Sequence, residues 1–213
     1  IVVDPHAPSK ILGYDVIGAG RDYEAIGKAL ESLVLLMTMR YEDVRIGSHR
    51  YGDHQQVSVF IDEWTSIQKN VPKAGEMLAT LLTESRKVNI HFCLAVHSLT
   101  VDILGIDAQI RNSATQVELF GGDGQERRAF INPKSKINPD GGRAKPQEYA
   151  LPGPFAGFAE PQGEVVAALP DPKLLKAQMM LSQGESWTAI AREYFETDRP
   201  NGAQIKTMKE MLQ

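Results

Sequence analysis

Apolar and polar positions along this 213-residue chain alternate between two periods. Short β-branched runs of four to eight residues mark strands, and apolar residues at steps of three and four mark helices. The most regular run is Val57–Glu63, Val-Ser-Val-Phe-Ile-Asp-Glu. It is apolar, and it ends in two adjacent carboxylates. This is the form of a buried parallel strand that delivers acids at its carboxyl end. Two readings of the acids stand side by side: they serve chemistry, or they cap the next helix.

The rest of the chain falls into place around that strand. Ile1–Val3 reads as the end of a buried strand, halted by Pro5 and Pro8. Ile11–Ile17 is a short apolar excursion. From Arg21 a helix is predicted, with Ile26, Leu30, Leu33, Val34, Met37 and Tyr41 on one face and Gly47 as its stop. Ser48–Gln56 is polar and loop-like. After the central strand, Trp64–Val71 leads into a second helix at about Lys73–Lys87. Asn89–Val96 reads as a strand, Val101–Arg111 as a short helix or turn, and Ala114–Phe120 as a third core strand. Strand, helix, strand, helix, strand predicts an α/β fold, an open, mostly parallel sheet flanked by helices.

Beyond Glu126 the pattern changes. Arg127, Arg128, Lys134, Lys136, Arg143 and Lys145 face a single acid, Asp140, in a stretch rich in Pro and Gly. Gln147–Leu169 reads as small antiparallel strands. Pro170-Asp171-Pro172 is a linker, and Lys173–Gln213 is helical in pattern. The expected organisation is a core over 1–169 and a small helical module over 170–213. In that module Ser186 is a fair N-cap, and Trp187, Ile190, Ala191 and Tyr194 share a helical face. Leu181–Ala191 resembles the opening of helix-turn-helix domains, with a recognition helix expected from about Asn201. Its cations there are only Lys206 and Lys209, so a winged-helix-like or protein-docking module is an equal reading.

Composition narrows the classes. The chain is 42% hydrophobic and 23% charged, as a folded domain with a core requires. A net charge of −4 removes any global basic surface, so contact with nucleic acid would have to be local. The six-cation segment is the place for it, against the plainer reading of a solvated loop. One cysteine, Cys93, excludes an internal disulfide framework and fits a reducing, cytoplasmic setting. No run is long and apolar enough for a transmembrane span. The chain opens in mid-strand without Met, which reads as a fragment whose upstream part could carry an anchor.

A phosphate-binding loop is not found. Gly18-Ala19-Gly20 through Gly27-Lys28-Ala29 fails the required spacing, lacks the Ser or Thr, and has helical periodicity running through it. Other pieces nonetheless occur in a telling order. Ile1-Val2-Val3-Asp4-Pro5-His6 is similar to a strand ending in Asp-Pro-His. Leu36–Tyr41 is similar to a helix ending in Arg-Arg-Tyr, Val59–Glu63 to a Walker B strand, Leu81–His91 to a Gly-Arg-containing segment, and Leu94–Ser98 to a sensor strand. Ile110–Phe120 is similar to the last core strand and its approach. Together these resemble the FtsK/HerA superfamily of hexameric, RecA-like, DNA-pumping ATPases, over about Ile1–Leu169.

The resemblance implies roles. Asp62 would serve Mg²⁺, and Glu63 would orient or deprotonate the attacking water on ATP. His97 stands at the sensor position, where the family more often has Gln; a plain strand-end His is the other reading. Arg86 would be an arginine finger acting on the neighbouring subunit of a homo-oligomeric ring, or else a cation favoured at a helix C-terminus. Asp4 and His6 would lie on the nucleotide side. The implied partner is double-stranded DNA, and a Walker A motif is expected upstream of Ile1. An ATPase for protein secretion or phage assembly would share the same site. A different class, a non-catalytic α/β DNA-binding or scaffold protein with a helix-turn-helix tail, is the alternative.

Overall fold

The apolar opening forms strand β1 (Val2–Val3), which lies in the middle of a sheet rather than at its rim. The computed structural model describes residues 1–11, 13–98, 100–120, 128–132, 147–150 and 171–212. After β1 the chain turns and returns as a hairpin of β2 (Lys10–Ile11) and β3 (Tyr14–Ile17). The apolar excursion is therefore part of the sheet: β3 pairs parallel with β1, Val2 opposite Val16.

Helix α1 (Tyr23–Arg45) follows, about 35 Å long at 1.5 Å per residue. Asp22 caps it by accepting from the Ala25 N–H at 2.9 Å, and Gly47, at φ +78°, ends it as the periodicity predicts. Ile26, Leu30, Leu33 and Met37 bury one stripe of α1 against the sheet. Gly27 and Lys28 lie inside this helix, with Lys28 paired to Glu24 one turn back, so the segment has no phosphate-loop shape.

Strand β4 (Val57–Ile61) pairs parallel with β1 on one side and with β5 (Ile90–Leu94) on the other. The sheet order is β2-β3-β1-β4-β5, with only β2 antiparallel. Between β4 and β5 run α2 (Trp64–Asn70) and α3 (Ala74–Glu84), separated at Val71-Pro72-Lys73. The helix expected at about Lys73–Lys87 forms as α3, and the lead-in Trp64–Val71 forms a short helix of its own, α2. Pro72 has no N–H to continue the ladder, and Lys73 takes a left-handed φ of +58°. Residues Ser85–Val88 tighten into a 3-10 turn before β5.

Two expectations need correcting. Strand β4 is not buried on both faces. Val57, Val59 and Ile61 point into the core, but Ser58 is exposed and Phe60 is 55% exposed. Alternation along the strand puts its neighbours on opposite faces, and the helices cover one of them. The second correction concerns the strand at Ala114–Phe120. It forms as β6 (Gln116–Phe120), after the short helices α4 (Val101–Leu104) and α5 (Ala108–Ser113), but it does not join the parallel sheet. It pairs antiparallel with β7 (Arg128–Asn132), which pairs with β8 (Gln147–Ala150) in a sheet of three. A parallel crossover needs a covering helix. Helices α4 and α5 span only four and six residues, and α5 buries none of them.

At the C-terminus, α6 (Pro172–Ser182), α7 (Trp187–Tyr194) and α8 (Gly202–Leu212) enclose a small core of Ala177, Ile190, Ala191 and Met208. The cap residues act as read: Ser186 Oγ accepts from the Ala189 N–H at 3.2 Å. Asn201 and Gln204 cap α8 reciprocally, each side chain accepting from the other's backbone N–H at 2.9 Å. Helix α6 packs on α1, so the three-helix unit sits against the core.

Candidate functional site

Parallel strands deliver their carboxyl ends to one side of a sheet, which is where ligands bind in open α/β folds. Here β1, β4 and β5 end side by side. The ladder continues past each strand: the Asp62 N–H donates to Val3 O at 2.9 Å, and the Ala95 N–H to Ile61 O at 2.8 Å. Asp4, His6, Asp62, Glu63 and His97 therefore share one rim.

Asp4 is buried and committed locally. Its Oδ1 accepts from the N–H groups of His6 at 2.7 Å and Ala7 at 3.1 Å. It builds the turn that carries His6 to the rim. Asp62 is exposed, and its Oδ1 accepts from the Glu63 N–H at 2.7 Å. Its Oδ2 makes no hydrogen bond among the described residues.

Glu63 occupies the N-cap position of α2, but its side chain caps nothing. Its backbone is left-handed, at φ 53° and ψ 38°. That conformation costs a non-glycine residue about 1–2 kcal/mol. The carboxylate instead lies between two imidazoles. His97 Nε2 is 3.4 Å from Oε1, and His6 Nδ1 is 3.9 Å from Oε2. These are close pairs rather than hydrogen bonds. With His97 82% exposed, such a pair contributes little to stability, about 0–1 kcal/mol even when charged. The reading in which the acids only cap the next helix does not hold: Glu63 offers no cap bond, and Asp62 bonds only the next residue's N–H.

The donors fit a hard divalent cation in kind. Asp62 Oδ2 and the Glu63 carboxylate are oxygen ligands at an exposed strand end, as Mg²⁺ with retained water requires. Asp62, with Oδ2 at the exposed strand end, is the residue that could hold such a cation.

Arg86 is elsewhere. It lies exposed in the 3-10 turn before β5, at the amino end of the strands, with the length of β5, about 16 Å, between it and the rim. Within one chain it does not reach Glu63. Of the basic residues, Arg128 opens β7; Arg127, Lys134, Lys136, Arg143 and Lys145 lie outside the described residues. The two cations of α8 are engaged: Lys206 lies 3.7 Å from Glu210, and Lys209 sits over the Trp187 ring.

Two residues of the helix motif have structural tasks. Arg40 is buried, and its Nη1 donates to Val88 O at 2.7 Å and Asn89 O at 3.3 Å. The Tyr41 hydroxyl donates to Glu84 O at 2.9 Å. Both tie α1 to the carbonyls that close α3 and open β5. Burial lowers the Arg40 pKa, with Asp43 opposing that shift.

Comparison with family models, with curated proteins and with solved structures gives no match. Among the described residues no helix is long and apolar enough to cross a membrane.

Proposed function

We propose that this chain carries the water-activating half of a nucleotide-hydrolysis site. One observation carries the reading: Glu63, strained and spared from capping, holds its carboxylate at the carboxyl rim between His97 and His6. Left-handed non-glycine residues persist where the surroundings over-determine them, and they concentrate at functional sites.

In this reading Glu63 takes or orients the proton of the attacking water. His97, on the neighbouring strand, fixes the rotamer of that carboxylate and senses the group bound beside it. Asp62 would hold Mg²⁺, a cation that neutralises charge on the phosphates when bound. Asp4 keeps His6 in place from beneath. The groups that cradle the phosphates are not found within the 213 residues, so the reading requires a glycine-rich loop from other residues.

The motor reading draws further support from the ordered motifs that resemble FtsK/HerA ATPases. It makes the protein part of a ring that moves double-stranded DNA by ATP hydrolysis in the cytoplasm. Arg86, exposed and remote from its own rim, suits a finger offered to a neighbouring subunit. The non-catalytic alternative draws on the three-helix tail, whose capped α7 and α8 have a helix-turn-helix order. The engaged Lys206 and Lys209 weigh against that tail as a strong DNA reader.

The test is ATP hydrolysis, with duplex DNA present, by protein made from the whole coding sequence. Glu63→Gln is expected to abolish turnover and leave ATP binding intact. Unchanged turnover would remove Glu63 from the role.

A further inference from the structure

The opposite end of the sheet holds a second cluster. Asp43 lies in the last turns of α1, and His49 and His54 lie in the loop that leads to β4. One donor atom from each residue falls within 4.8 Å of the others. His54 Nε2 is 3.2 Å from Asp43 Oδ2, and the His49 and His54 rings stack with centroids 4.6 Å apart.

The His54 ring is held at Nε2, the nitrogen that faces Asp43. Its side chain is only 8% exposed, and Nδ1 is buried with no hydrogen-bond partner. Buried ring nitrogens ordinarily find one. Next to it, His49 directs Nδ1 to Ser48 Oγ at 3.2 Å, and its Nε2 makes no hydrogen bond among the described residues. The scaffold is already closed. Asp43 O accepts from Ser48 N–H at 3.0 Å and His49 N–H at 3.3 Å, Arg50 N–H donates to Asp53 Oδ2 at 2.9 Å, and Asn89 Nδ2 holds His54 O at 2.7 Å. Only the exposed His49 ring has to move to tighten the set.

We propose that Asp43, His49 and His54 form a binding site for a divalent transition cation of the zinc type. Two imidazoles and one carboxylate are a borderline-soft donor set that suits zinc and disfavours magnesium. Two ligands of a tetrahedral zinc stand about 3.3 Å apart, close to the present separation of His54 Nε2 and Asp43 Oδ2. The exposed side of His49 leaves the fourth position to water. A cation here clamps the loop to α1 at the amino end of the strands, away from Glu63 and independent of the nucleotide reading.

The experiment titrates the 213-residue chain with zinc chloride in a non-chelating buffer. Isothermal calorimetry counts sites, thermal unfolding reports linkage, and the visible absorption of Co²⁺ in the same protein reports nitrogen ligation. The expected result is one equivalent that raises Tm, resists excess Mg²⁺, and weakens at least about tenfold with Asp43→Asn or His49→Gln. His49 is exposed, so His49→Gln keeps the fold and separates lost ligation from lost structure. Zinc bound equally well by His49→Gln and the parent chain overturns the proposal. So does a parent chain with no saturable zinc binding.

Discussion

His97 Nε2 stands 3.4 Å from Glu63 Oε1, joining the ends of two neighbouring parallel strands across the rim of the sheet. His97 is exposed, so the worth of the pair lies in position rather than in stability. His97→Ala is expected to leave the unfolding midpoint unchanged and to lower ATP turnover by about 10²-fold. His97→Gln, which keeps a donor at the same reach, is expected to recover most of the rate. Turnover assays on the two variants, with urea melts alongside, check both halves.

Glu63 is held at φ 53°. Glycine removes the left-handed penalty of about 1–2 kcal/mol and adds about 0.5–1 kcal/mol of chain entropy. Glu63→Gly is therefore expected to be neutral or up to about 1.5 kcal/mol more stable by urea unfolding, while losing activity. A loss of more than about 1 kcal/mol would mean that the carboxylate serves the fold.

Removing Arg40 leaves the buried Val88 carbonyl without its side-chain donor, while Asn89 O keeps the Val57 N–H at 3.0 Å. Arg40→Met keeps the packing of the stem and loses the bonds. It is expected to cost about 1–3 kcal/mol, seen as a lower urea midpoint at unchanged slope.

Much of this was legible beforehand, and the misses have physical causes. Helix α1 was readable because Ile26, Leu30, Leu33 and Met37 keep one stripe over several turns. The carboxyl-end placement of Asp62 and Glu63 followed from the apolar run before them. One-sided burial of β4 was also present in the letters, since Ser58 interrupts the run, but a short apolar strand does not announce which face is covered. The same ambiguity hid the partner of β6, because five residues pair equally well in either sheet. The start of α3 after Pro72 was readable, but the short helix α2 before it was not. His49 and His54 read only as part of a polar loop, and Asp43 as part of the helix before it. Their signal was two of the chain's five histidines within six residues, just past an acidic helix end. Glu63's backbone conformation and its two histidine neighbours are tertiary facts, and no local pattern carries them.

Cys93 is exposed on β5, opposite Phe60 in register, and partial burial pushes its thiol above the ordinary value of 9.0. A raised folded pKa means that the native state holds the proton more tightly than the unfolded chain does. Its contribution to stability is complete below about pH 9 and is lost as pH rises through the folded value. Only the thiolate reacts, so alkylation by iodoacetamide is expected to be slower than for a free thiol at pH 7.5 and to accelerate above pH 9. Labelling at the free-thiol rate at pH 7.5 would contradict this.

The central claim is that Glu63 activates water for nucleotide hydrolysis, and its most direct test is single-turnover ATP hydrolysis with duplex DNA. The measurement compares the whole-coding-sequence protein with its Glu63→Gln variant, with ATP binding followed in parallel. The account predicts a fall of about 10²–10⁴-fold in the hydrolysis step with ATP affinity retained. Hydrolysis at the parent rate in the Glu63→Gln protein would contradict it.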